Sequence, residues 1–405
     1  MSAGAERSGA VIHPAAPWLV LLGGVSAAMH VAKLPPALPA LQSAMGIGWV
    51  EAGFLLSLVQ AASMTLGVLV GVGADGLGLR RAMVGGLGLL SVVGAAGAWA
   101  HDGRTLLLMR ALEGVGFLLA VVAAPGLVRR CVLPMERTRM LGIWGAFMPL
   151  GTAMALLLGP VVMAAVGWPG WWWATALLSA LAAGAIVSWV PADEQAVGRP
   201  LTSASSDWAT RLGQTLRAGG PWLGALTFAV YSAQWLAVIG FLPVLYGLAG
   251  WGGARVAVLT ALVAAANIVG NVAAGRLLRR VSFTALLVAG FGAMALGAFL
   301  AFDTTDAALR YSGALLFSAV GGLIPGTLFV LAPRLAPNDH ALSTTVGWMM
   351  QWSAAGQVCG PPLVAWAASR AGDWSWSWMV TGTFCVIGWG LTLALARHVR
   401  PLEQV

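Results

Sequence analysis

Apolar runs of about 20 residues, separated by short polar or glycine-rich turns, recur along the chain. They lie at 17–41, 50–71, 82–100, 105–127, 140–166 and 172–190, and again at 221–246, 255–275, 282–302, 308–332, 342–368 and 377–396. As a helix, a run of that length crosses about 30 Å of hydrocarbon. The pattern predicts twelve membrane-spanning helices in two sets of six. One long polar stretch, PADEQAVGRPLTSASSDWATRLGQTLRAGG at 191–220, divides them. The expected organisation is an N-terminal arm (1–16), a six-helix bundle (17–190), a linker (191–220), a second bundle (221–396) and a tail (397–405). The first run is read as a span and not a cleaved leader, because it is long and only Arg7 flanks it with positive charge.

The two sets resemble copies of one unit. Pro17-Trp18-Leu19 recurs as Pro221-Trp222-Leu223, Leu38-Pro39 as Leu242-Pro243 and Gly71 as Gly275, each at an offset of 204. Pro125-Gly126 recurs as Pro325-Gly326, and Gly159-Pro160 as Gly360-Pro361, at offsets of 200 and 201. Ordered matches at a nearly constant offset point to an internal repeat. Parallel six-helix repeats are a transporter architecture.

Composition agrees. Of 405 residues, 59% are hydrophobic and 9% charged, against about 25% charged in an ordinary soluble domain. The formal charge of +8 would suit a nucleic-acid binder only if it were clustered, and here the basic residues stand singly between apolar runs. Nucleic acid is therefore excluded as a partner. The lipid bilayer is expected as the surroundings, and a monomer as the working unit. Cys131, Cys359 and Cys385 have no metal-type spacing, so neither a disulfide framework nor a metal site is expected. No P-loop, H-E-x-x-H or G-x-S-x-G occurs, which argues against an enzyme or ATP-driven pump. No cofactor is implied.

With the N-terminus inside, sixteen of the 22 basic residues fall in inner segments, four (Arg104, Arg255, Arg310, Arg370) fall outside, and Lys33 and Arg110 lie within spans. The bias predicts both termini and the linker on the cytoplasmic side of a bacterial inner membrane. Trp168, Trp171, Trp172 and Trp173, with Trp374, Trp376 and Trp378, cluster at the outer span ends. They read as an interfacial aromatic belt without a ligand.

The intramembrane charges carry the candidate chemistry, because ionisable groups at membrane depth are costly and face protein or water. Arg110 and Glu113 are three residues apart, on one helix face. Lys33 lies about 22 Å beyond Trp18 along span one, roughly level with Arg110. His30 and Glu113 fall near the midplane on the same count. The second half offers amides and aromatics instead: Tyr231, Gln234 and Trp235 in span seven, Asn267 and Asn271 in span eight, and Trp348, Gln351 and Trp352 in span eleven. Gln234 stands at the repeat position of His30, 204 residues on. Each of these polar groups is equally open to a role in helix–helix bonding.

Between spans two and three, Gly71-Val-Gly-Ala-Asp75-Gly-Leu-Gly78-Leu-Arg80-Arg81 resembles the G-x-x-x-D-[RK]-x-G-[RK]-[RK] loop of the major facilitator superfamily. Gly71, Asp75, Gly78 and Arg80 match, while Gly76 and Leu79 replace usual basic residues. Arg110-Ala-Leu-Glu113-Gly114 is similar to that family's fourth-helix R-x-x-x-G pattern. Gly159-Pro160 resembles part of an antiporter motif, and Lys33-Leu34-Pro35-Pro36-Ala37 is similar to the basic-plus-proline signature of cyanate and nitroimidazole-type permeases. The resemblance covers essentially the whole chain. It implies an all-α polytopic membrane protein of two pseudo-symmetric six-helix bundles, a loop that steadies one conformation, and a central cavity lined by spans one, four, seven and ten.

On that basis Lys33, Arg110, His30, Tyr231, Gln234, Trp235, Asn267, Gln351 and Trp352 are the expected substrate-binding residues. Lys33 and Arg110 against Glu113 leave +1, which favours an anion in a low-dielectric site. The expected function is secondary transport of a small organic anion by alternating access, with a proton as candidate coupling ion. Glu113 is either the titrating switch or a permanent ion-pair partner. The alternative is proton-driven efflux of apolar or cationic compounds.

Overall fold

In the computed structural model, which describes residues 13–193, 201–338 and 341–399, every regular element is helical. Span one is broken into α1 (Ala16–Ala32) and α2 (Leu34–Met45), and span two into α3 (Trp49–Ser57) and α4 (Ala61–Leu77) around a 3-10 turn at Leu58–Gln60. Spans three and four are α5 (Leu79–Gly97) and α6 (Gly103–Cys131); α7 (Arg137–Trp144) is a short connecting helix. Then α8 runs through Phe147–Trp189, but Gly167 inside it has φ 70°, so it is two spans meeting at a bend. The polar linker contains a helix, α9 (Leu201–Arg217). The second bundle comprises α10 (Gly219–Leu248), α11 (Gly253–Leu277), α12 (Phe283–Asp303), α13 (Ala307–Gly321) with α14 (Leu323–Leu335), α15 (Leu342–Ala371) and α16 (Ser377–Val399).

Ten of these helical stretches are long and apolar enough to cross a membrane. Dividing α8 at Gly167 adds one, and the more polar α15 completes twelve. The arrangement is an all-α polytopic membrane protein with two six-helix halves.

Tight helix contacts rest on small residues, as expected where lipid-like side chains offer no hydrophobic drive to associate. A Cβ on Gly86 of α5 would lie 2.6 Å from the Gly116 carbonyl oxygen of α6. In the second half, a Cβ on Gly313 of α13 would lie 2.8 Å from the Gly297 carbonyl oxygen of α12. The two bundles thus repeat the same small-residue contact.

Between bundles, α2 packs on α10, α3 and α4 on α15, and α8 on α11. At the end bearing Trp49, that indole meets Trp374 edge-on at 5.2 Å, and Phe241 lies 4.8 Å from Trp374. By contrast α1, α6 and α14 make no comparable contact with the opposite bundle. Spans one and seven therefore meet through α2, and the bundles are closed at the Trp49 end.

Candidate functional site

The break in span one follows from its prolines. Pro35 and Pro36 have no N–H, so the carbonyls of Val31 and Ala32 lose their i+4 donors. A free buried carbonyl is costly. Arg110 answers part of this need: its Nη2 donates to Val31 O (3.2 Å) and its Nη1 to His30 O. Its Nε donates to Leu55 O (3.0 Å), where span two turns from α into 3-10 helix. One fully buried guanidinium from α6 thus caps the breaks of two neighbouring spans.

Its remaining bond is to Glu113, Nη1 to Oε2 at 2.6 Å. The other carboxylate oxygen accepts from Lys33 Nζ at 2.5 Å and faces His30 Nδ1 at 3.1 Å. His30 Nε2 bonds Ser179 Oγ at 3.0 Å, and Ser179 bonds Ser26 at 2.7 Å. Lys33 is the residue at which α1 ends and α2 begins. Its ammonium lies 4.7 Å from the centre of the Trp172 ring, and its carbonyl accepts from Trp171 Nε1 at 3.0 Å. All four ionisable residues are at most 1% exposed. A carboxylate that accepts from two fixed cations is well compensated for its burial.

Two tryptophans expected in the interfacial belt belong to this site. Trp171 and Trp172 are buried at 2% and 1%, whereas Trp173 is 46% exposed. Their amphipathic chemistry suits either place, and the bend at Gly167 turns the first two inward. Trp374 likewise is buried between the bundles, while Trp376 is exposed. Sequence position near a span end does not separate these cases.

The expected central residues fall in three groups. His30, Lys33, Arg110 and Glu113 meet one another, but between α1, α6 and the second half of α8, inside the first bundle. Gln234 is the repeat counterpart of His30 in structure as well. It faces α16, with Cys385 Sγ donating to its Oε1 at 3.1 Å, as His30 faces Ser179. Tyr231, Asn267 and Asn271 form a second network inside the other bundle: Asn267 Nδ2 donates to Tyr231 Oη (2.9 Å) and Ser318 O (2.9 Å), and Asn271 Nδ2 donates to Asn267 Oδ1 (2.8 Å). Trp235 is buried on α10 one turn beyond Tyr231, its indole N–H without a partner among the described residues. The third group lies on α15, where Gln351 bonds across to the first bundle and Trp352 packs within its own. Gln351 Oε1 accepts the Val68 N–H of α4 at 3.0 Å, and Trp352 joins Trp222 and Trp348 with ring centres 5.4 and 6.0 Å away.

For the loop motif, Gly78 has φ 87° and starts α5, a conformation that favours glycine. The side chain of Asp75, and the packing around Gly71, lie outside the described residues. The carboxylate that occupies the α5 N-terminus is Asp193, which accepts from Arg80 N (3.1 Å) and Arg81 N (3.0 Å) and pairs with Arg130 at 3.1 Å. Arg80 itself donates to Val187 O. An acid at a helix N-terminus is favourable, but this one arrives from more than 100 residues away, so no local capping pattern marks it. The signal available was an acid directly after span six beside a basic loop.

Arg110→Lys is expected to lower stability by about 2 kcal/mol, because one ammonium cannot serve carbonyls on two spans and a buried acceptor left bare costs about 1–3 kcal/mol. Thermal unfolding in detergent reads the loss, and hydrogen exchange is expected to rise at residues 30–36 and 55–60 together.

Among known proteins, the chain is 25% identical over 331 residues to the 3-(3-hydroxy-phenyl)propionate transporter of Escherichia coli, covering 79% of this chain and 77% of that one. It is 33% identical over 164 residues to the puromycin resistance protein of Streptomyces alboniger, covering 40% of this chain and 31% of the relative. With the methylenomycin A resistance protein of Streptomyces coelicolor the match is 27% over 121 residues, covering 30% of this chain and 24% of the relative. The chain thus spans less than a third of both resistance proteins. Solved structures share the fold. A bacterial homolog of the human lysosomal transporter Spinster, in an inward-facing and occupied conformation, superposes with a TM-score of 0.77 at 13% identity, covering 94% of this chain and 96% of that one. For a D-xylose-proton symporter the values are 0.73 at 17% identity, with 95% and 97% covered. The family model for the Major Facilitator Superfamily matches residues 20–354, and with twelve helices in two repeated bundles, one of which holds this buried charge cluster, the chain belongs to that superfamily of membrane transporters.

Proposed function

We propose that the protein is a proton-coupled secondary transporter of a small organic anion with an aromatic or apolar body. The observation that carries this reading is the charge count of the buried cluster: two fixed cations, Lys33 and Arg110, share one carboxylate, Glu113. A proton on Glu113 raises the cluster from +1 to +2, and in a low-dielectric interior the excess attracts an anion strongly. Proton and anion then favour each other's binding, and the linkage is reciprocal. Arg110 is tied to three carbonyls, so Lys33, at the break between α1 and α2, is the cation that a movement of α2 can present to a substrate carboxylate. Aromatic surface for the substrate body is available at Trp348 and Trp352 on α15, the helix that packs on α3 and α4 of the first bundle. Similarity to a carrier of an aromatic carboxylate supports the same class.

Both termini and α9 are cytoplasmic in this reading, so the closed Trp49 end faces outward. Rocking the bundles about the centre alternates access. The working unit is a monomer.

Proteoliposomes with an inward proton gradient test it. Aromatic monocarboxylates are expected to accumulate, with accumulation lost on adding a protonophore and affinity lost in Lys33→Gln. Movement of lipophilic cations without monocarboxylates overturns the reading in favour of efflux, which the Trp222, Trp348 and Trp352 cluster and the similarity to resistance proteins support.

A further inference from the structure

A cleft of about 190 Å³ opens where spans one, five, seven and eight meet near the closed end, bounded by Pro36, Pro160, Pro243, Trp251, Val256 and Thr260. Its walls are apolar. The one side-chain hydroxyl, on Thr260, donates its proton to Val256 O of its own helix at 2.7 Å. Pro39, Gly247 and Gly253 at the rim are exposed. Three of the four spans bring a proline to the cleft, Pro36, Pro160 and Pro243, and α2 packs on α10 beside it.

Beside the cleft a cation rests on one of its wall residues, Trp251. Arg255 is exposed and forms no ion pair among the described residues, and its guanidinium carbon lies 4.5 Å from the centre of the Trp251 ring. Trp251 in turn stacks on Tyr246 at 4.3 Å. Stacking on an indole holds a guanidinium in place while leaving its edge donors free for a phosphate. An apolar slot with a positioned cation at the membrane boundary is complementary to an anionic amphiphile, and to neither a soluble anion nor a neutral oil alone.

We infer that this cleft seats an anionic phospholipid, an acyl chain lying between the bundles and the phosphate on Arg255. The inference requires a membrane protein but is independent of the transported substrate. A lipid in that place fills the gap between bundles on the closed side and so favours the conformation described here.

The test uses the full-length protein, delipidated in detergent and offered phosphatidylglycerol or phosphatidylcholine, with retained lipid measured by mass spectrometry. Phosphatidylglycerol is expected to be retained roughly fivefold over phosphatidylcholine, the preference one basic side chain gives at a membrane surface. Arg255→Gln is expected to remove the preference while leaving residual retention of both lipids. Gly253→Leu is expected to reduce retention of both, because Gly253 lines the cleft and a Cβ there meets nothing within 4 Å, so the bulk is added at the rim without strain in the fold. Equal retention of the two lipids by the unaltered protein, or an unchanged preference in Arg255→Gln, overturns the proposal. So does protection against thermal unfolding by water-soluble glycerol phosphate equal to that by the lipid, which assigns the site to a free phosphate. None of these results bears on monocarboxylate transport, so the two readings fail separately.

Discussion

Glu113→Gln is expected to destabilise the protein by roughly 3–5 kcal/mol, the usual cost of removing one member of a buried ion pair. The carboxylate is at most 1% exposed, and Lys33 and Arg110 both donate to it. Its loss leaves +2 in the interior with only amide and carbonyl dipoles to offset it. Lys33→Met should cost less, since Arg110 and Glu113 remain as a pair. Combining the two changes restores a net +1, the wild-type value, so Lys33→Met/Glu113→Gln is expected to be more stable than Glu113→Gln alone. That non-additivity, read from the midpoints of thermal unfolding of the four proteins, measures the coupling within the cluster. The double variant also separates folding from function: it should fold, insert and yet accumulate no monocarboxylate under a proton gradient. A double variant as unstable as Glu113→Gln shows instead that His30 and Arg110, and not Lys33, make the carboxylate necessary.

Gly53→Leu is expected to abolish transport while leaving the bundles folded. Gly53 of α3 stands against α15, where a Cβ would lie 2.8 Å from Pro362 Cα and 2.9 Å from Pro362 N. Those atoms are backbone of a proline-containing helix and cannot yield as a flexible side chain does. The contact lies between bundles, so a larger residue there opposes approach of the halves and not the packing within one. Closure at the Trp49 end should fail, and the protein should rest with that end open. A cysteine substituted for Trp49, which lies 5.2 Å from Trp374 when closed, should become reactive toward a membrane-impermeant thiol reagent from that side. Unchanged protection in Gly53→Leu/Trp49→Cys refutes the assignment of this contact to the gate. Gly240 opposite Leu56 is a softer neighbour, meeting side-chain methyl carbons at 3.1 and 3.3 Å, and Gly240→Ala should retain activity.

The architecture was readable because a bilayer imposes length and polarity on each segment, and both are local properties of the sequence. Twelve runs, the six-plus-six division and the repeat offset all reappear as helices. Even the pairing of His30 with Gln234 by offset recurs as two side chains directed at the last helix of their own bundles. The ionisable cluster was legible for the same energetic reason, since Lys33, Arg110 and Glu113 are expensive at membrane depth wherever they point. Counting 1.5 Å per residue put them at similar depths, and the family resemblance put spans one and four side by side.

Direction was not legible. Whether Lys33 addresses the other bundle or its own depends on the rotation of span one, and that rotation is fixed by packing against α6 and α8 and by the carbonyls that Pro35 and Pro36 release. The role of Arg110 as a cap for two spans depends on Leu55 O, which no periodicity in span four reveals. Asp193 reaches the start of α5 across more than 100 residues, and Trp171 and Trp172 are drawn inward by a bend at Gly167 while Trp173 stays at the surface. The sequence by itself determined membrane residence, the number of spans, their duplication and which side chains are costly enough to require partners, because each follows from transfer free energy along one segment. The tertiary structure decided which partners those side chains have and which end of the molecule is closed, because these depend on how helices distant in the chain are rotated and pressed together.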